Sequence, residues 1–317
     1  MTTRLTFTDY DAFAEAVRDA SMTFRLSSLE VPIWTLHYAS IGAIGLQQGF
    51  EGGGTITEGV ARNDGWAFYH QSHPGPINGK VMNTNEVFAA PPGSEFCLTC
   101  KPRHGWISVF IPTPLLFPSS SGLEFSARAV PQILRPPPHV MRRFRSLVHR
   151  FLAMADAQPR IWDHPAALDA YRHELLSVVL DLFTMGQPST NRHFERWRCL
   201  TQSTLELAMS RPDQSLSIAD MAQHIGVPER TLRTAFNRNY GVSPKEYLRI
   251  QRLYQARRLL RAGSQDQTTV TEIAFSLGFW ELGRFAGAYH RLFGERPSET
   301  LRKDVRAVGA ETPDLQS

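Results

Sequence analysis

The residue types best suited to chemistry fall in the first third of the chain. His70 and His73 are separated by two residues, His104 follows, and Cys97 and Cys100 form a Cys-x2-Cys pair. Imidazoles and thiolates hold zinc or a related ion when enough of them converge. The His-x2-His spacing is not diagnostic, no carboxylate obviously completes a ligand set, and no second Cys-x2-Cys exists to close a structural zinc site. On a strand, an offset of three sends the two thiols to opposite faces, so ordinary strand residues are the better account of the cysteines. Cys199 reads as a small buried hydrophobe. No catalytic residue, metal ligand or cofactor is assigned, and the expectation is that the chain is not an enzyme.

Recognition chemistry is better marked, because the last third contains one instruction twice. Gly241-Val-Ser-Pro244-Lys-Glu246-Tyr-Leu248-Arg249 returns 53 positions later as Gly294-Glu-Arg-Pro297-Ser-Glu299-Thr-Leu301-Arg302. Upstream, Ile218-x3-Ala222-x3-Gly226 returns as Val270-x3-Ala274-x3-Gly278 at an offset of 52, so the second copy has gained one residue. Repeats at a fixed period mark one structural unit used again. Ser217 with Asp220, and Thr269 with Glu272, make capping boxes that start a short helix in each copy. Gly226 and Gly278 can take the positive φ that ends it and turns the chain. In the helix after each turn, Leu232, Ala235, Phe236 and Tyr240, and then Phe285, Ala288, Tyr289 and Leu292, recur at helical spacing and face inward. The outward residues are Glu229, Arg230, Arg233, Thr234 and Asn237 in the first copy and Glu281, Arg284, Gly287 and Arg291 in the second, and they form the expected DNA-binding face. A solvated helix face is also charged; it is the duplication of the turn chemistry that favours a tandem helix-turn-helix.

These residues resemble the AraC/XylS family of transcription regulators over roughly 195–303. The matching motifs are Leu232-x3-Phe236, then Gly241-x2-Pro244-x2-Tyr247-Leu248-x3-Arg252-x3-Ala256-x2-Leu259-Leu260, then Ile273-Ala274-x3-Gly278-Phe279, and finally Phe293-Gly294-x2-Pro297-Ser298. Pro228, Trp280 and Gly283 depart from the Ser or Thr usual there. The run from Gly278 to Phe285 resembles the branch that includes ethanolamine-utilisation regulators, which implies ethanolamine or another small amine or carboxylate as effector. Gly287, mid-helix, costs about 1 kcal/mol relative to Ala. It either lets the backbone approach DNA closely or marks a second unit that supports rather than reads.

The charge is distributed to match. Residues 1–128 hold 8 basic and 11 acidic side chains, whereas residues 192–303 hold 18 and 11, so the basic excess sits in the repeated module. No stretch approaches the ~20 apolar residues of a membrane helix, the opening residues lack a signal-peptide core, and there are only three cysteines. The expectation is a cytoplasmic protein with no membrane partner.

The elements around this module differ in texture. Asp9 to Ala20 reads as a short amphipathic helix. From Arg25 to about Ile111, short apolar runs (33–36, 41–46, 66–70, 87–90, 95–100 and 106–111) alternate with turn formers such as Gly52-Gly-Gly and Pro91-Pro-Gly, the pattern of a sandwich or barrel. This part is similar to the cupin-like sensor domain of many regulators in that family. Trp34, Phe50, Trp66, Phe68, Tyr69, Phe96 and Trp106 are the candidates to line an effector pocket, or equally to fill the barrel core. Two apolar stripes follow, Met141, Phe144, Leu147, Val148, Phe151 and Leu152, then Leu168, Tyr171, Leu175, Leu176, Val179 and Phe183. They cover either the barrel wall or a second subunit, and the resemblance implies a homodimer.

The predicted fold class is therefore a two-domain protein: a mainly β, cupin-like barrel with flanking helices, then an all-α tandem helix-turn-helix. The expected divisions are a sensing domain at 1–128, a helical dimerisation or packing segment at 129–185, a linker at 186–194, the DNA-binding domain at 195–303 and a disordered tail at 304–317. The expected function is a sequence-specific regulator, an activator, that binds double-stranded DNA and a small-molecule effector, with RNA polymerase as a further partner. A cupin-type metal enzyme and a protein-sensing regulator, each carrying the same DNA-binding module, are the alternatives.

Overall fold

The computed structural model of the chain describes residues 2–118, 130–191, 193–210, 216–263 and 268–302. The expected tail at 304–317 and the Ser-Ser-Ser-Gly run at 119–122 lie outside them. Apart from short stretches, the chain divides into two compact units, one reaching Trp197 and the other beginning at Arg198.

The first unit is a curled antiparallel half-barrel. Its elements are β1 (Thr2–Phe7), α1 (Tyr10–Ala16), β2 (Ala20–Ile41), β3 (Ile44–Ala61), β4 (Gly65–Gln71), β5 (Gly75–Ile77), β6 (Lys80–Met82), β7 (Val87–Ala90), β8 (Glu95–Cys100), β9 (His104–Pro112), α2 (Thr113–Leu116), β10 (Gln132–Arg135), α3 (Pro138–Ala157), α4 (Pro165–Met185) and β11 (Gln187–Ser189). The strands run β11-β10-β7-β4-β9-β3-β8-β5-β6, with β2 beside β3 and β1 beside β2.

Several expectations need correcting. The helix expected from Asp9 to Ala20 stops at Ala16: Asp9 caps it by accepting from the amides of Asp11 and Ala12, and the chain is already extended at Val17. Residues 41–46 are not one strand, because Gly42 takes φ +56° in the turn between β2 and β3. Gly52-Gly-Gly is not a turn but lies inside β3. Glu51 faces His104 and Thr55 faces Cys100 at the same offset, so β9 and β8 follow one another along one side of β3, and the glycines lie opposite their interruption at 101–103. A Cβ on Gly52 would fall 2.0 Å from the Val31 carbonyl oxygen. Glycine is needed there for close approach of backbone, not for a bend. Within the segment expected as a linker, Gln187–Ser189 pairs with β10.

Both faces of the sheet are buried. Leu46, Trp66, Phe68, Val87, Ala89, Ile107, Val109 and Ile111 form one core with α3 and α4, while Ala61, Ile77, Phe88, Ala90, Leu98 and Cys100 form another on the inner side. The two predicted helical stripes therefore pack on the barrel wall within this chain. Met141, Phe144, Leu147, Val148, Phe151 and Leu152 are all buried, and Phe183 sets its ring edge against Trp66 at 5.2 Å and Phe68 at 5.5 Å between centroids. Cys199 is exposed, contrary to expectation.

From Arg198 on, the regular elements among the described residues are helices: α5 (Phe194–Ser210), which begins just before it, α6 (Ile218–Ile225), α7 (Glu229–Tyr240), α8 (Pro244–Ala262), α9 (Val270–Ser276), α10 (Leu282–Phe293) and α11 (Pro297–Arg302).

Phe144 is fully enclosed between α4 and the sheet. Phe144→Ala is expected to lower unfolding stability by ~3–5 kcal/mol, read as a lower urea midpoint by far-UV circular dichroism.

Candidate DNA-binding face and barrel cavity

Each helix-turn-helix is built from its own local signals. Ser217 accepts from the Asp220 amide at 3.2 Å while the Asp220 carboxylate receives the Ser217 amide at 2.9 Å. Thr269 and Glu272 repeat this at 3.2 and 2.8 Å. Hydrogen bonding to its charged form holds the Asp220 carboxyl below its usual range. Gly226 and Gly278 take φ +75° and +76°, the left-handed conformation that a side chain disfavours. Ser243 caps α8 as expected, but Glu246 does not complete a box: its carboxylate pairs with Arg249 at 2.5 Å.

The gained residue lies in the second turn. α7 begins three residues after Gly226, whereas α10 begins four after Gly278. The longer turn carries Trp280, 73 % exposed and stacked on Phe275 at 5.7 Å. All eight inward residues of the two helices are buried. Of the outward ones, Arg230, Arg233, Thr234, Asn237, Glu281, Arg284 and Arg291 are exposed, and Glu229 and Gly287 are half-buried.

The faces are not equivalent. On α7, Arg233 is held by Glu229 one turn back, with Nε donating at 2.6 Å, and Thr234 donates to the Arg230 carbonyl at 2.8 Å. Arg230 forms no ion pair among the described residues. On α10, Arg284 pairs with Glu281 at 2.9 Å. Exposed pairs of this kind are worth little and can be exchanged for phosphate. At the repeat offset, Arg230 and Arg233 correspond to Gly283 and Ala286, so the second helix cannot reuse the side chains of the first. Arg284 and Arg291 instead line a cleft with Trp280 and with Arg249 of α8, which sequence reading missed because it lies outside the duplicated helix pair.

The half-barrel contains a partly open cavity of about 70 Å³. Tyr69, Phe96 and Trp106 line it; Trp34, Phe50, Trp66 and Phe68 do not. Trp66 and Phe68 alternate with Ala67 and Tyr69 on β4 and so face the helices. Trp34 packs on Tyr10 of α1 at 5.5 Å. The structure adds Gln47, Glu51, Thr57 and Phe88 to the lining. The first three share one parity on β3, a period-two signal readable once the strand was known to run through its glycines.

Glu51 is 2 % exposed, and the Trp106 indole donates to one of its oxygens at 2.9 Å. Burial pushes its carboxyl up to about 7, against which the Thr55 hydroxyl and the Trp106 indole work only in part. His70, whose Nδ1 donates to the Glu86 carbonyl at 3.1 Å, and His104, 3.3 Å from the Tyr69 hydroxyl, are both driven down to about 4 by burial and are neutral at physiological pH. The Cys100 thiol is pushed well up by the same cause, which makes it a poor nucleophile. Among the described residues no group of three or more His, Cys, Asp or Glu side chains is placed to hold a metal ion.

Residues 221–303 match the family model described as a helix-turn-helix domain. The chain is 33 % identical over 155 residues to the XylDLEGF operon transcriptional activator of Pseudomonas putida, covering 48 % of this chain and 45 % of that protein. It is 42 % identical over 89 residues to the probable thc operon regulatory protein of Rhodococcus erythropolis, covering 28 % and 27 % respectively. A solved structure of a probable AraC family transcriptional regulator from Rhodopseudomonas palustris is 36 % identical across 96 % of its length and 33 % of this chain, with a TM-score of 0.30. The C-terminal part of the chain carries a helix-turn-helix domain homologous to that of AraC/XylS family transcription regulators. The chain spans less than half the length of the two curated relatives just named, and the family's helix-turn-helix is what α6, α7, α9 and α10 build.

Two outcomes are expected. A Cβ at Gly287 would meet only the Arg291 guanidinium, at 3.6 Å, so Gly287→Ala should raise thermal stability of the second unit by about 0.5–1 kcal/mol; lost DNA affinity in the same variant would show close backbone approach to DNA. For Glu51, the folded carboxyl sits at about 7 against an ordinary value of 4.5. Its contribution to stability is therefore full below pH 4.5 and is lost as pH rises through 7, by at most of order 3 kcal/mol. Glu51→Gln should remove this, so the stability difference between variant and wild type, measured by urea titration from pH 4 to 8, should grow in the variant's favour.

Proposed function

We propose that the chain is an effector-controlled, sequence-specific activator of transcription, without catalytic activity, that works in the cytoplasm on double-stranded DNA. The observation that carries the DNA-binding half is the pair of helices α7 and α10, each preceded by a short helix that opens on a capping box and by a left-handed glycine, and each presenting exposed arginines. The candidate readers are Arg230, Arg233, Thr234 and Asn237, flanked by Glu229, on α7. On α10 they are Glu281, Arg284, Gly287 and Arg291. A helix in the major groove brings such side chains to base edges, while phosphate contacts supply most of the affinity. The relatives' description as operon activators supports activation, with RNA polymerase as the partner that activation requires.

The sensing half rests on the half-barrel, whose cavity supports binding of a small molecule beside Tyr69, Phe96 and Trp106. A ligand that prefers one conformation of the chain shifts the population able to engage DNA. The intended division is a cupin-like sensor over 1–128, helices to 185 that stiffen its wall, and a reader over 195–303. A homodimer remains part of the proposal through the resemblance alone, on a surface other than the α3 stripe, which is already covered. No helix among the described residues is long and apolar enough to cross a membrane.

α8 has 19 residues, or about 28 Å at ~1.5 Å each, near the ~34 Å between successive major grooves on one face of DNA. Residues 192–317 expressed alone should therefore bind the promoter region over nearly two turns, with affinity falling steeply between low and high salt. Arg230→Ala should cost about 1–3 kcal/mol and relax preference at one base position. A folded fragment without DNA affinity at low salt would end the proposal, and footprinting that protects a single groove would reduce α10 to a support.

A further inference from the structure

The cavity contains one feature that its apolar wall does not explain. Glu51 is 2 % exposed, one of its oxygens accepts from the Trp106 indole at 2.9 Å, and the other meets no donor in hydrogen-bonding geometry among the described residues, although the Thr55 hydroxyl lies near enough to act on the carboxyl. The Thr57 hydroxyl, 1 % exposed and on the same face of β3, also lacks a partner there. Both residues line the cavity. A buried acceptor without a donor is costly, and a buried carboxylate without a cation more so.

No cation in the lining repairs this. The charged lining residues besides Glu51 are Arg18 and Asp19. The Arg18 guanidinium lies over the Tyr38 ring at 4.9 Å, and Asp19 is engaged by Arg62 at 3.3 Å and by the Gln47 amide at 3.2 Å. The remaining wall is aromatic and aliphatic, with Tyr69, Phe88, Phe96 and Trp106 presenting rings or ring edges.

Resting on the reading of this cavity as the effector site, we propose that its ligand is a protonated amine with a compact apolar body, its ammonium received by the second oxygen of Glu51 and by Thr57. An ammonium brings three donors and the missing charge, and it gains further from the faces of aromatic rings. An anionic ligand would set a second carboxylate beside Glu51, which the site could hold only by protonating one of them. The buried carboxylate selects an amine over a carboxylic acid, and the apolar wall selects a hydrocarbon body over a small polar one.

The test uses the full chain and three probes of one shape, phenethylamine, 2-phenylethanol and phenylacetate, titrated calorimetrically into wild type, Glu51→Gln and Ala90→Phe. Ala90→Phe narrows the cavity and leaves the carboxylate in the chain. Phenethylamine is expected to bind saturably and at least about tenfold more tightly than the alcohol, as a charge-assisted hydrogen bond requires, with phenylacetate weakest. Glu51→Gln should erase the preference for the amine over the alcohol, and Ala90→Phe should abolish binding of all three, each variant first being shown folded by near-UV circular dichroism. If Glu51→Gln fails to fold, persistence of amine binding in Ala90→Phe is enough to overturn the proposal. Phenylacetate or the alcohol binding wild type as tightly as the amine overturns the amine assignment and leaves the effector reading standing. Silence from all three probes overturns it too, and native mass spectrometry of the purified chain then decides separately whether the barrel carries any small-molecule occupant.

Discussion

A strand side chain has two directions to point, and in this sheet both are taken. Along β4 the alternation sends Trp66 and Phe68 outward to Phe183 and Phe117, and Ala67 and Tyr69 inward to the cavity. The same strands therefore carry the helices on one side and the cavity on the other, with a single backbone thickness between them. Packing on the outer face fixes the positions of the inner face, which is how α3 and α4 take part in shaping a pocket they never touch.

That partition also explains which parts of the molecule could be read in advance. The helix-turn-helix units were legible because their instructions are local: a Ser or Thr three residues before an acid, a glycine that must take positive φ, and an apolar period of 3.6. The strand runs at 66–70, 87–90, 95–100 and 106–111 were legible for the same reason. The pocket was not, because a run such as Trp66-Ala-Phe-Tyr-His is apolar on both parities, and nothing in it says which face meets helices. Glu51 was hidden by the glycines after it. Read as a turn, they cut β3 in two and removed the register that places Gln47, Glu51, Thr55 and Thr57 on one side.

The two halves of the DNA-binding unit illustrate how duplication keeps a scaffold and frees a surface. Gly241 and Gly294, Pro244 and Pro297, and Tyr240 and Phe293 hold equivalent places, and the buried residues correspond closely. The exposed residues do not: Arg230 and Arg233 give way to Gly283 and Ala286, while the longer second turn puts forward Trp280. The core is constrained by packing density and the face only by what it meets, so each face can acquire its own specificity without risk to the fold.

The capping boxes have a consequence for the order in which the chain acquires structure. Each joins residues three apart, so a helix pair in the second unit can nucleate from contacts within a few turns of chain. The sheet must instead bring together Thr2 with Ala39, Val87 with Leu134 and Gly45 with Phe110 before any of those pairs is rewarded. Loop-closure entropy makes such long-range pairing slow and local helix formation fast. The slow unit is synthesised first and has the interval of translation of the fast one, on the order of seconds, in which to close its edges. During that interval the long β2 and β3 are the segments most in need of protection from pairing with another chain.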